Sequence, residues 1–573
     1  MAFKRLFLAA LAFSILSFSA FAQPGPAPAR QYPQNIFRYP LDLPPSTAGG
    51  FAELRSNHFH SGLDFRTNQR EGYPVHAAYD GYVSRIRVQF GGFGNALYIT
   101  HPNGFTSVYG HLQRFSPEIL QALRAEQKRQ QKDVVDFSPN PLQFPVYKGQ
   151  IVAWSGNTGG SAGPHLHFEL RDSETEQTIN PQLFGLTIPD RVPPTIMSVA
   201  VYHLNGAPFS EKTEKAIFQV TGAGGNYHPV HPSVLEIGEE AAMGIAVNDM
   251  NSASANRNGA FSIQLLLDGK SIYTFMAERF AFDQTHAINA YIDYPLFLSS
   301  GRWIQKCFIL PGSRITVYPQ SVNRGLIKLT DDEVHDLQYV VKDVAGNTSM
   351  VNLKIKRGLV KAEMPPGAGT TRVNYNQTTV FTRDKLKLTI NPYNLYDNLD
   401  MTFTELPKRP GAYSAVYKIH NHLTPIHDSI NVWIKPDSTL GNLVNKAVIY
   451  NTYRGSVGGV YEDGYIKSAP RDFGEFYIRV DTIPPTIRPV NLVNGGSMAG
   501  KSKMTFRIGD NLSGIKSYLA KIDGEWVLFE WDFKTKLLNH TFDGTLSSGK
   551  HSLELTVTDN KDNTAQYNAT FYR

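Results

Sequence analysis

The run Gly163-Pro164-His165-Leu166-His167-Phe168-Glu169-Leu170 places two imidazoles two residues apart inside an alternating pattern. Successive side chains of a β-strand point to opposite faces, so this spacing aims both rings at the same face of a sheet. One ring can then hold a metal while its neighbour moves protons, the division of labour of a hydrolytic zinc site. About a hundred residues upstream, Asn57-His58-Phe59-His60-Ser61-Gly62-Leu63-Asp64 supplies more imidazole and a carboxylate. Tyr109-Gly110-His111-Leu112 ends another strand-like run with a further histidine. Together these segments offer the donors for one metal centre.

The first 22 residues read as a secretory signal: Lys4 and Arg5, an apolar run from Leu6 to Phe18, then Ala20-Phe21-Ala22 before Gln23. The mature chain is therefore expected to begin at Gln23. No 18-residue apolar segment follows that could span a bilayer. An exported, soluble protein of the periplasm or cell envelope, or a secreted one, is the expectation. Losing Lys4 and Arg5 takes the net charge from +6 to +4 on a chain of 573 residues. That small excess suits an anionic envelope polymer and is no nucleic-acid signature. Cys307 is the single cysteine, which excludes an intramolecular disulfide and leaves stability to buried cores. It lies in Trp303-Ile304-Gln305-Lys306-Cys307-Phe308-Ile309-Leu310, a run that reads as a buried strand rather than a catalytic thiol.

Residues 23–38, rich in proline, alanine and glycine, read as a flexible leader. From Tyr73 onward short alternating runs dominate, at 82–88, 96–100, 105–109 and 151–154, with Asn103-Gly104 as a hairpin signal between the second and third. Ser116-Pro117-Glu118 offers a cap, a first-turn proline and an acidic residue ahead of Ile119-Leu120-Gln121-Ala122-Leu123. A helix is expected there, continuing into the polar stretch to Lys132 as a surface insertion along the rim of a groove. The fold class is all-β and multidomain: an antiparallel β-domain over 39–187 with a short helical insertion, followed by β-sandwich domains. An internal repeat supports that division. Asp190-Arg191-Val192-Pro193-Pro194-Thr195-Ile196 is echoed by Asp481-Thr482-Ile483-Pro484-Pro485-Thr486-Ile487, and Val341-Lys342-Asp343-Val344-Ala345-Gly346-Asn347-Thr348 by Val557-Thr558-Asp559-Asn560-Lys561-Asp562-Asn563-Thr564. The paired signals bracket a β-sandwich at 188–357 and a final unit at 481–573, read as an immunoglobulin-like sandwich without the cysteine pair. The intervening 358–480 is β-rich with no topology that its pattern assigns.

A catalytic zinc takes about three protein ligands and keeps one position for water. His60, Asp64 and His167 supply three such ligands, with Gly62 suited to a tight bend between the first two. His165 is then left to take a proton from the water, and His111 to steady that water or the oxyanion that follows attack. His60-Ser61-Gly62-Leu63-Asp64, Tyr109-Gly110-His111-Leu112 and Gly163-Pro164-His165-Leu166-His167-Phe168-Glu169 resemble, in order, the motifs of the lysostaphin/LytM-type zinc metalloendopeptidases. The linking text matches as well, in Gly72-Tyr73-Pro74-Val75-His76-Ala77-Ala78, Asp80-Gly81-Tyr82-Val83, Gly94-Asn95, Lys148-Gly149-Gln150-Ile151 and Ser155-Gly156-Asn157-Thr158-Gly159. The resemblance spans residues 50–185. It implies a β-sheet groove, one zinc held by His60, Asp64 and His167, a catalytic pair of His111 and His165, and cleavage of peptides in peptidoglycan. The insertion at 116–136 is longer than the connection usual in that family. The C-terminal region resembles the sandwich modules that follow such domains in envelope proteins.

His58 shares a strand face with His60 but does not start the His-x-Gly-x-Asp pattern, so a nearby hydrogen bond is expected of it. His76 and His101 read as structural. His228-Pro229-Val230-His231 lacks both a helical two-ligand face and the glutamate of a zinc-protease helix. His420-Asn421-His422 reads as a polar strand or loop, and Gly156-Asn157-Thr158-Gly159-Gly160 lacks the lysine of a phosphate loop. The expected function is an exported zinc metalloendopeptidase acting on peptidoglycan stem peptides or cross-links. Two alternatives stand beside it: a non-catalytic peptidoglycan-binding or hydrolase-activating protein, and a secreted protease acting on other peptides. The tail is expected to bind wall polymer, an envelope protein, or the protein's own groove.

Overall fold

The computed structural model describes residues 30–231, 234–252, 256–358 and 369–573. The expected signal segment and residues 23–29 of the leader lie outside them. The alternating runs become strands: Thr47–Gly49 (β1), Leu63–Arg66 (β2), Gly81–Val88 (β3), Asn95–Thr100 (β4), Phe105–Gly110 (β5), Val135–Phe137 (β6) and His165–Asp172 (β7). They lie side by side in the order β1-β2-β7-β5-β4-β3-β6, every neighbouring pair antiparallel. Asn103-Gly104 forms the turn between β4 and β5, with Gly104 at φ +84°, a conformation that glycine takes without a Cβ penalty. Strand β7 sits between β2 and β5 and buries Leu166, Phe168 and Leu170 completely. Phe168 meets Phe65 and Tyr109 at ring centroid distances of 6.0 and 5.4 Å. Burying each such side chain contributes roughly 1.5–3 kcal/mol, which anchors the strand by the face opposite its histidines.

The inserted helix, α1, spans Pro117–Gln130. Proline occupies its first turn, where the missing N–H costs nothing. Ser116 precedes it, but the hydroxyl makes no capping hydrogen bond; the first turn is closed by Leu120 N–H on the Ser116 carbonyl. Ile119, Leu123 and Gln127 are buried beneath it, so one face of the insertion belongs to the core. The chain leaves through Gln131 in the left-handed conformation.

Strands over 195–357 form a twelve-stranded sheet, and one apolar cluster joins residues from Tyr32 to Ile355 and reaches Tyr396. The two parts are joined by more than side chains, because Arg279–Phe280 pairs with Thr178–Ile179, which in turn pairs with β7. Residues 371–480 enclose a second cluster. Residues 486–572 enclose a third between a four-stranded and a five-stranded sheet. That last unit folds back onto the N-terminal domain. Asp133, just beyond α1, accepts hydrogen bonds from Tyr518 Oη (2.8 Å) and Trp531 N (3.1 Å). Phe90 meets the Trp531 ring at 5.0 Å, and Arg124 of α1 pairs with Glu530. Cys307 is buried among apolar neighbours that push its thiol pKa up, in keeping with an inert packing role.

Candidate metal centre

His60, Asp64, His111, His165 and His167 converge at one end of the sheet. The registers explain it: His167 lies opposite Asp64 on β2 and opposite Gly110 on β5. His60 Nε2 is 3.1 Å from Asp64 Oδ1 and 3.1 Å from His167 Nδ1, and His167 Nδ1 is 2.9 Å from Asp64 Oδ1. All three residues are buried. His60 Nδ1 donates to the Gly50 carbonyl (2.7 Å), which leaves the lone pair on Nε2. His167 Nε2 donates to Glu169 Oε1 (2.9 Å), which in the neutral ring leaves the lone pair on Nδ1; burial works to lower the His167 pKa, but Asp64 and Glu169 outweigh it and raise it to about 9. Two imidazole lone pairs and a carboxylate oxygen thus face one another about 3 Å apart, an arrangement that calls for a cation at their centre. Tetrahedral ligands held about 2.05 Å from a zinc ion stand roughly 3.3 Å apart, close to this triangle. The donor set therefore fits a metal ion.

The supports around the triangle are charged and buried. Glu169 accepts from Ser61 Oγ and pairs with Arg171 (2.6 Å). Burial works to raise the Glu169 pKa, yet Arg171 and His167 outweigh it and hold the group at about 2. Asp64 behaves alike: burial opposes its charge, but His60, His165 and His167 hold it well below the usual carboxylate range. Its second oxygen is taken by Arg55. Burial pushes His60 down to about 4. Phe93 stacks on the His167 ring at 4.9 Å, and Phe282, from the following module, lies 6.0 Å beyond it.

His165 and His111 stand beside the triangle, their rings 4.7 Å apart. His165 Nδ1 is held by the Gly163 carbonyl (2.8 Å) and near Ser161 Oγ (3.2 Å), while its buried Nε2 has no hydrogen-bond partner and lies 3.4 Å from Asp64 Oδ1. His111 Nδ1 donates to the Thr158 carbonyl (2.8 Å). Burial, then His167 and His165, push His111 down to about 3, so it is neutral at physiological pH. Its φ of +60° breaks the extended backbone just past the end of β5. The glycine-rich segment at 156–160 thus acts as a backbone support.

His58 is exposed and reaches only the Ser56 carbonyl (3.3 Å). His76 bridges the Gly149 carbonyl and Asp42, and His101 bridges the Asp80 carbonyl and Ser107. His420 is buried against Thr424, and His422 stacks on Tyr453. Gly62 departs from the expected tight bend: it has no positive φ, and a Cβ there would overlap the Phe168 carbonyl. Glycine is needed for close strand approach, not for a turn. Glu169, Arg171 and Arg55 carry the second layer of the site and drew no role from sequence reasoning. The alternation that selected His165 and His167 places Glu169 on their face, the signal that finds it; Arg55 has no such pattern.

Residues 58–130 match peptidase family M23, a span that takes in His60, Asp64 and His111 and ends with α1; residues 370–481 match the Zu5-like domain. The chain is 34% identical over 137 residues to the DD-carboxypeptidase/endopeptidase Mpg of Neisseria meningitidis serogroup B, covering 24% of this chain and 25% of that protein. It is 33% identical over 139 residues to a metalloprotease of Haemophilus influenzae, 23% of this chain and 24% of the relative. The peptidoglycan DD-endopeptidase ShyA of Vibrio cholerae is 31% identical over 139 residues, 23% of this chain and 26% of its own. The matched part thus spans about a quarter of these relatives' length. Among solved structures, a zinc-containing peptidase from Vibrio cholerae aligns at 26% identity over 27% of this chain and 41% of its own, with a TM-score of 0.20. The catalytic domain of lysostaphin from Staphylococcus simulans aligns at 25% identity over 24% and 87%, with a TM-score of 0.17.

Proposed function

Because this chain carries a peptidase family M23 domain, we propose that it is an exported zinc metalloendopeptidase that hydrolyses peptide bonds in bacterial peptidoglycan. The observation that carries the reading is the triangle of His60 Nε2, Asp64 Oδ1 and His167 Nδ1, with every lone pair turned inward. Two nitrogens and one carboxylate oxygen suit zinc, and a catalytic zinc keeps its fourth position open. Bound there, zinc supplies Lewis acidity that brings a water molecule toward ionisation and polarises a substrate carbonyl.

The chain's own groups do the rest. The Gly50 carbonyl and Glu169 fix the tautomers of His60 and His167, so both rings present a lone pair without reorganising. His165 Nε2, unpartnered and next to Asp64, receives the proton that water gives up and passes it to the leaving amine. His111, its Nδ1 proton committed to Thr158, presents Nε2 as an acceptor that holds the attacking water. Peptidoglycan as substrate and an envelope location rest on the endopeptidase relatives and on the signal-like 1–22 segment; among the described residues no helix is long and apolar enough to cross a membrane. We read 39–187 as the catalytic unit, 188–357 and 481–573 as sandwich modules, the last immunoglobulin-like, with wall polymer or an envelope protein as the tail's partner.

Incubating the protein with intact sacculi, with and without a zinc chelator, and identifying released fragments by mass spectrometry tests the reading. New amine and carboxyl ends that vanish with chelator and return with zinc are expected, and His167→Ala abolishes them with the fold intact. No release from several wall types by a zinc-loaded sample gives the site to a non-catalytic binding role.

A further inference from the structure

The internal repeat places three aspartates together twice. In the first module Asp190 comes from the linker into the sandwich, Asp249 from the end of the strand Glu240–Asn248, and Asp343 from the closing turn; their carboxylate oxygens lie within 4.8 Å of one another. Asp481, Asp510 and Asp559 hold the same three positions in the last module. In each module the closing aspartate grips the asparagine four residues on: Asp343 accepts from Asn347 N and Nδ2, and Asp559 from Asn563 N and Nδ2.

The two clusters differ in how their charge is met. In the last module Lys561 feels the charges of Asp481 and Asp559. The repeat aligns Lys561 with Ala345, so the first module has no cation at that position. There burial, and after it the charges of Asp343 and Asp190, push Asp249 up to about 8. Asp249 is 5% exposed, and its Oδ1 has no hydrogen-bond partner. Asn251, 8% exposed, donates Nδ2 to Thr47 Oγ1 and leaves its own Oδ1 equally without a partner. Asp190, Asp249 and Asn251 line one cavity of about 30 Å³, which Thr47 and Gly50 of the peptidase domain close from the other side.

We propose that Asp190, Asp249 and Asp343, with Asn251 lining the same cavity as the first two, form a calcium site at the seam between the peptidase domain and the first sandwich. All donors are hard oxygens, which favour calcium over zinc. A separation of 4.8 Å is the most that two ligands each about 2.4 Å from one calcium ion can show. Because the cavity borders β1, which pairs with the strand bearing Asp64, the ion holds the seam next to the metal centre without belonging to it.

The test is calcium titration of the full chain in calcium-free buffer with micromolar zinc, read by calorimetry and thermal unfolding. Wild type takes up one calcium and gains roughly 5–10 °C in Tm at saturation, while magnesium gives little. Asp249→Asn loses that ion and its Tm response. Ala345→Lys, an exposed change that copies the last module, raises Tm without calcium and blunts the response. Asp510→Asn keeps both. A wild type that binds no calcium at millimolar concentration, or an Asp249→Asn variant that responds as wild type does, overturns the site.

Discussion

The two modules that the repeat brackets open and close on the same sequence signals yet are attached to the peptidase domain in opposite ways. The first shares its core: Phe280 is fully buried against Phe51 and Phe59 of the peptidase domain, and its strand extends the peptidase sheet. The last keeps a core of its own and touches the peptidase domain through Asp133, Phe90, the Arg124–Glu530 pair and Lys534. A shared apolar core makes one cooperative unit, whereas a small patch of polar and aromatic groups makes a contact that opens without unfolding either side. A module's sequence therefore sets its own fold but not its junction.

The largest effect that separates the two junctions is expected from Phe280→Ala, which costs about 3–5 kcal/mol. Calorimetry should show the peptidase domain and first module melting together at lower temperature, with hydrolysis lost in step; a peptidase domain that outlives its neighbour would break the comparison. Next comes pH. Burial, followed by Glu530, raises Asp133 to about 6, against Arg124 and the hydrogen bonds from Tyr518 and Trp531. A raised carboxyl favours the docked state when protonated, so docking is tightest below about pH 4 and weakens as pH rises through about 6. Small-angle scattering should show the last module loosening over that window, and Asp133→Asn should flatten the change. The smallest effect is that of Lys534→Ala. Its ammonium donates to the carbonyls of Asn157 (2.6 Å) and Ser161 (3.1 Å), in the segment whose Thr158 and Ser161 orient His111 and His165. Losing it should lower kcat roughly five-fold, about 1 kcal/mol, with KM little changed.

What could be read from sequence was local and periodic. Alternation placed His165 and His167 on one face, and the Asn103-Gly104 turn and the α1 proline acted within a few residues of themselves. The contacts that build the rest join distant segments with no period: Arg55 to Asp64, Phe280 to Phe51, Tyr518 to Asp133 across 385 residues. Gly62 shows a subtler limit, since its sequence neighbours suggest a bend while its reason lies in a carbonyl on β7. The repeat announced two modules and not what each would pack against.

Strand β7 also acts as a reading frame. His165, His167 and Glu169 reach the site because their positions differ by multiples of two, and the pairing with β2 and β5 fixes their phase. A single inserted or deleted residue within this strand would not weaken the centre by degrees; it would turn the imidazoles into the apolar core and Leu166 and Phe168 toward the metal centre. Residues added in α1, outside the strand, leave that phase untouched.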